Sequence, residues 1–131
     1  MEKLGRPEFT ADGLEQLLLF LYTDKLENLQ WESAIKLYYA GDKYVIEKLK
    51  VICASFLVDK ITPSSAIELL LLADAHNDSD FKMAVEDFIL KHEEQVFGSE
   101  EWEKLIEVNS QLVSKTMLLK YKKNEAHKII S

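Results

Sequence analysis

Apolar residues recur along the chain at the spacing of α-helical turns, with polar residues filling the faces between them. Leu14, Leu17, Leu18 and Leu21 stand at i, i+3, i+4 and i+7, behind Thr10, whose hydroxyl oxygen suits an N-cap. Trp31, Ala34, Ile35, Tyr38 and Tyr39 repeat the stripe in a second helix, which Gly41 is expected to end. A third helix is predicted over about residues 43–57, with Val45, Leu49, Ile52, Cys53 and Phe56 on one face.

Further along, Ile61-Thr62-Pro63-Ser64 reads as a helix start. Thr62 supplies a capping oxygen, and Pro63 sits at the first helical position, where its missing N–H costs nothing. The helix predicted over residues 64–74 carries Ile67 and Leu69 to Leu72, is apolar almost all round, and should lie centrally. Asn77-Asp78-Ser79 breaks the chain and caps a fifth helix with Phe81, Val85, Phe88 and Ile89 inward. Gly98-Ser99 starts a sixth, with Glu100 and Glu101 at its positive end. Asn109-Ser110 starts a seventh, over residues 111–121, and fraying is expected from Asn124 onward. Arg6 to Phe9 reads as a short extended piece, an orphan strand that points to a partner upstream. Short-looped helix pairs dominate, and no solenoid-type repeat is read. The expectation is an all-α bundle of about seven helices in consecutive hairpins.

Composition supports this and narrows the function. Hydrophobic residues are 47% of the 131, enough for a core, while only 4 glycines and 2 prolines are too few for a turn-rich β fold. The net charge of −7 argues against a nucleic-acid binder, which needs cations facing phosphates. The basic run Lys115, Lys120, Lys122, Lys123 and Lys128 reads as a solvated helix face. Leu17 to Tyr22, the longest apolar stretch, is far short of the roughly 20 residues that span a bilayer. With one cysteine, no signal-peptide pattern and no membrane span, the sequence reads as a soluble intracellular protein.

The chain offers no active site. His76, His92 and His127 lie on different segments, none with a second His or Cys at i+3 or i+4 as a helical metal site requires. Cys53 stands on an apolar face, where a buried inert thiol is expected. Glu93-Glu94 and Glu100-Glu101 read as helix-terminal charges, and no Gly-rich phosphate loop is present. The expectation is a non-enzymatic protein without metal, cofactor or small-molecule substrate. What remains is apolar surface. The helix at 64–74 is either core on all sides or, in part, the floor of a partner groove.

Leu19-Phe20-Leu21-Tyr22-Thr23-Asp24 resembles a signature of BTB/POZ domains. So does the block Ala40-Gly41-Asp42-Lys43-Tyr44, followed by Glu47-Lys48-Leu49-Lys50 and Cys53. The run from Ala66 to His76 is similar to a helix of the speckle-type POZ protein group, and Phe88-Ile89 and Trp102 continue the likeness into a BACK-like segment. The resemblance covers about residues 9–121, with the motifs in family order and at family spacing.

It implies three parts: the C-terminal part of a BTB/POZ domain over 1–59, a three-box/BACK-like helical region over 60–123 and a flexible tail over 124–131. It also implies an adaptor, the substrate-receptor subunit of a cullin-3 ubiquitin ligase, that transfers no ubiquitin itself and works in the nucleus or cytoplasm, the nucleus favoured. Carried over by position, Tyr44, Ile61, Leu69 and Leu72 would line the cullin groove. The family's N-terminal strands, its cullin-contacting loop and its MATH domain have no counterpart in the sequence. Asp24 stands where the family has Gly. Cullin binding is therefore expected to be weakened. Part of the set Leu17, Phe20, Leu21 and Tyr38 should be exposed, and Met117 falls at a BACK-type dimer contact, so association with itself or with other BTB proteins is expected. The rival expectation is a remnant or structural module that binds no cullin.

Overall fold

A computed structural model describes the backbone of residues 11–130 apart from 24 and 27, and the side chains of 13, 15–23, 25, 26 and 28–122. The extended piece at residues 6–9, the Thr10 cap and Asp24 lie outside the described residues. Eight helices and no strand are found among those described, so the fold is the all-α bundle that the periodicity predicts. The chain divides into two compact units between Lys60 and Ile61.

The first unit holds α1 (Ala11–Thr23), α2 (Trp31–Lys43) and α3 (Glu47–Asp59), with α2 packed on both others. Its buried side chains include Leu17, Phe20, Ala34, Leu37, Tyr38, Leu49, Cys53 and Leu57. The inward stripe of α1 is therefore Gly13, Leu17 and Phe20, while Leu18 and Leu21 are exposed. With leucine or phenylalanine at every position from 17 to 21, hydrophobicity could not say which side faces in. At the start of α2 the Gln30 N–H donates to Ser33 Oγ at 3.0 Å and the Ser33 hydroxyl returns a bond to the Gln30 carbonyl at 3.1 Å.

Gly41 does not end α2. The helix runs through it to Lys43, and the chain turns at Tyr44, Val45 and Ile46. The Ile46 N–H donates to the Gly41 carbonyl at 2.8 Å and the Val45 N–H to that of Asp42 at 3.4 Å. These are the two bonds of a Schellman motif, whose left-handed step usually falls to glycine. Here Val45 takes it, at φ 57°. Val45 was expected on the apolar face of the next helix, yet it is 75% exposed. Gly41 serves closeness instead. A methyl group added there would meet Lys50 Cγ at 2.9 Å, the Lys50 backbone nitrogen at 3.1 Å and the Ile46 oxygen at 3.3 Å. Lys50 Nζ closes the corner on Asp42 Oδ1 at 3.0 Å.

The second unit holds α4 (Ala66–Ala75), α5 (Ser79–Lys91), α6 (Glu93–Phe97), α7 (Glu100–Val108) and α8 (Ser110–Ile130). Helix α4 begins two residues later than the Thr62-Pro63 signal suggests, after a turn at 63–65. Thr62 still does capping work there, since Oγ1 accepts from the Ser65 N–H at 3.3 Å. A left-handed Asn77 ends α4, and Asp78 Oδ1 caps α5 by accepting from the Phe81 N–H at 3.3 Å. Ser99 and Asn109 cap α7 and α8, accepting from the N–H of Trp102 at 3.2 Å and of Leu112 at 3.1 Å. Helix α6, a five-residue turn, was not foreseen, because so short an element has no period to read. Helix α8 continues well past Tyr121, beyond the end its pattern suggests. Helix α4 packs on α5 and α7, as its apolar girth predicts, and only Glu68, Leu71 and Ala75 along it are exposed. Lys120 Nζ bonds Glu93 Oε1 at 2.6 Å and ties α8 to α6.

Candidate interaction surface

The first unit's surface carries two apolar groups among charged and polar residues. On α1, Leu18, Leu19, Leu21 and Tyr22 are exposed, Tyr22 at 92%. At the α2–α3 corner Tyr44, Val45 and Val51 are exposed, Tyr44 at 57%, with Lys43 Nζ 5.4 Å from the centre of its ring. Local backbone bonding holds this corner rigidly. Tyr44 is the C-cap of α2, and its N–H donates to the Ala40 carbonyl at 2.9 Å. The Tyr44 side chain therefore stands beside a β-branched residue in the left-handed region, an arrangement that costs backbone energy.

The residues predicted to bind divide sharply by exposure. Tyr44, Leu21 and Met117 are exposed, and Ile61 is half-buried. Leu69, Leu72, Leu17, Phe20 and Tyr38 are buried, Leu69 and Tyr38 completely. A side chain with little or no exposed surface supports its helix before it can meet a partner, so these five pack in the core. The apolar surface the sequence reading missed is Leu18, Leu19 and Tyr22 on α1, Leu71 on α4, Met83 on α5, and Ile106 and Val108 on α7. On α8, Leu118 and Tyr121 join Met117.

The Cys53 thiol is fully buried, and burial pushes its pKa from 9.0 up to about 12, which keeps it protonated and unreactive at neutral pH. The His92 ring stacks on Phe88 with centroids 4.1 Å apart, and Nδ1 lies 3.0 Å from the Phe88 carbonyl oxygen. Among the described residues no group of three His, Cys, Asp or Glu could hold a metal ion, and no helix is long and apolar enough to cross a membrane.

A helical unit with apolar groups exposed on α1 and at a hydrogen-bonded corner has the character of a protein-interaction domain. Residues 2–61 match the family model of the BTB/POZ domain. The chain is 33% identical over 117 residues to TD and POZ domain-containing protein 5 of Mus musculus, an alignment covering 86% of this chain and 34% of that protein. It is 32% identical over 101 residues to TD and POZ domain-containing protein 1 of the same organism, covering 76% of this chain and 28% of the relative. With TD and POZ domain-containing protein 2, also of Mus musculus, it shares 31% over 107 residues, 81% of this chain and 29% of that one. The chain thus spans about a third of the length of the curated relatives it matches. The BTB/POZ match points to a non-enzymatic interaction domain in the first unit, and it ends where the second unit begins.

Proposed function

We propose that the chain is a non-catalytic adaptor that docks the N-terminal region of cullin-3 through the Tyr44 corner. One observation carries the reading: an exposed tyrosine is fixed beside a strained valine at a corner that folding alone does not require to be apolar. Support comes from the BTB/POZ match over residues 2–61 and from the Asp42-Lys43-Tyr44 motif within it. In this reading the helices after Ile61 are the three-box and BACK-like part. Ile61 contributes to the cullin contact, and Leu69 and Leu72 hold α4 in shape from within. Work in the nucleus is part of the same proposal.

The test is titration calorimetry of the full chain against the N-terminal region of cullin-3. Tyr44→Ala should weaken binding by about 30-fold, the loss of one interface anchor worth about 2 kcal/mol, while the melting temperature stays put. A folded wild-type chain that shows no association at hundreds of micromolar overturns the cullin reading.

A second reading has its own observation. Leu18, Leu19, Leu21 and Tyr22 give α1 an exposed apolar face, and such faces mark association surfaces. The chain would then be a structural module that associates with copies of itself or with other BTB proteins. Sedimentation with concentration-dependent mass, together with no cullin binding, selects it.

A further inference from the structure

The α2–α3 and α4–α5 hairpins, one in each unit, correspond residue for residue at a constant offset of 32 positions, without insertion or deletion. Ser33-Ala34-Ile35-Lys36-Leu37 answers to Ser65-Ala66-Ile67-Glu68-Leu69, and Asp42, Lys50 and Phe56 to Asp74, Lys82 and Phe88. Helix periodicity explains none of this, because a common period fixes neither the register across a loop nor the polar identities.

The structure extends the match beyond sequence. From 31–60 against 63–92, the degree of burial agrees at every pair except 35/67, 36/68, 39/71, 44/76 and 60/92. The core pairs are Ala34 with Ala66, Leu37 with Leu69, Tyr38 with Leu70, Leu49 with Phe81, Cys53 with Val85 and Leu57 with Ile89, all buried. Backbone bonding repeats too. The Gln30 N–H donates to Ser33 Oγ at 3.0 Å, and the Thr62 N–H to Ser65 Oγ at 3.0 Å. Val45 and Asn77 take the same left-handed step, at φ 57° and 53°. The bond from Ile46 N–H to the Gly41 carbonyl, 2.8 Å, has its twin from Asp78 N–H to the Ala73 carbonyl, 3.0 Å. One ion pair closes each corner, Lys50 with Asp42 at 3.0 Å and Lys82 with Asp74 at 2.8 Å.

We infer that the chain contains an internal duplication: residues 30–60 and 62–92 are two copies of one helical-hairpin building block, with a shared scaffold and diversified corners. A period of this length suits a helix–turn–helix repeat. The repeat is faint in the sequence because, outside Ser33 to Leu37, the identical residues are few. What differs between the copies is the corner surface. Tyr44 corresponds to His76, Val45 to Asn77, and Lys48 to Asp80. The second copy keeps asparagine, which tolerates the left-handed step, and an acidic rim. The first has valine at that step, in an apolar, lysine-flanked corner. The scaffold is common property, and the corner is where each copy was free to acquire its own surface.

Equivalence of scaffold means that corners can be exchanged. The full chain is made as Tyr44→His with Val45→Asn, and separately as His76→Tyr with Asn77→Val. Both variants should keep the helical circular dichroism of the parent. The first should melt higher by about 4 °C, since it removes a β-branched residue from the left-handed region, and the second lower by a similar amount. A third variant, Cys53→Val, gives the first copy the core residue of the second and should lower the melting temperature by no more than about 6 °C. Loss of helical signal in either corner variant, shifts of the same sign, no shift in either, or a larger fall in Cys53→Val overturns the duplication. None of these readouts uses a partner, so the result stands whether or not cullin-3 binds.

Discussion

The Thr116 hydroxyl, buried completely in α8, donates to the Leu112 carbonyl oxygen one turn earlier at 2.8 Å. A polar group therefore sits in the second unit's core without needing any other element to satisfy it, because its own helix does so. Among the described side chains no buried polar atom is left without a hydrogen-bond partner.

This makes a conservative replacement nearly free. In Thr116→Val the hydroxyl and its need for a bond disappear together, the shape is kept, and the Leu112 oxygen can still accept in the helical ladder. Stability in urea should change by less than about 0.5 kcal/mol. Thr116→Ala, which leaves a void, should cost about 1 kcal/mol. Equal costs for the two would mean that the hydroxyl matters more than the methyl.

Gly41 gives the opposite expectation. Alanine is the better helix former by about 1 kcal/mol, so Gly41→Ala would stabilise an isolated α2. In the folded unit its methyl would press on Lys50, backbone included. Overpacking of this kind costs about 1–3 kcal/mol, so the net effect should be destabilising by about 1 kcal/mol. A rise in the urea midpoint would show that α3 moves aside without cost.

Cys53 sets a pH dependence. Its thiol ionises near 9.0 in the unfolded chain and only at about 12 when folded. Above about pH 9 the unfolded chain releases a proton that the folded chain keeps, so the thiol's contribution to stability is complete below that pH and is lost as pH climbs towards about 12. Relative to Cys53→Val, the parent should lose stability progressively from pH about 9 upward, while the difference between the two should not vary with pH around neutrality. Thiol reagents at pH 8 should label it only as fast as the unit opens. Immediate labelling of the native chain would contradict its burial.

The α1 face predicts behaviour at high concentration. Leu18→Lys with Leu21→Lys places two charges on exposed positions and should leave the melting temperature within about 2 °C, surface changes being small. The same variant should abolish any concentration dependence in sedimentation. A large loss of stability would show that these leucines are less accessible than their surface suggests.

Much of the fold was legible in the sequence because local rules and tertiary packing agreed. Capping by Ser99 and Asn109, the inward Phe81, Val85 and Ile89, and the packed α4 all follow from period and end signals. The failures share a cause. On α1, consecutive leucines erase the contrast on which an amphipathic reading depends, so burial of Gly13, Leu17 and Phe20 was decided by neighbours the pattern cannot see. At the α2–α3 corner, Gly41 looked like a helix end, yet the glycine was spent on a close approach and a valine was left to make the turn. The same displacement misplaced Val45. As for the candidate surface, the resemblance offered Tyr44 and Leu69 alike as groove residues; Tyr44 is exposed and Leu69 is buried, a difference no motif could carry, because one sequence letter serves equally for core and for contact.

The corner also bears on how long a partner would stay. The backbone of Tyr44 and Val45 is pinned by three hydrogen bonds around the end of α2, so its ordering is complete before any encounter. A flexible loop presenting the same two side chains would surrender that freedom on binding, and its complex would be weaker by the entropy lost. At this corner the loss falls on folding instead. Contact made there would need no backbone rearrangement, and its lifetime would be governed by how well a pocket fits two side chains carried on a fixed backbone.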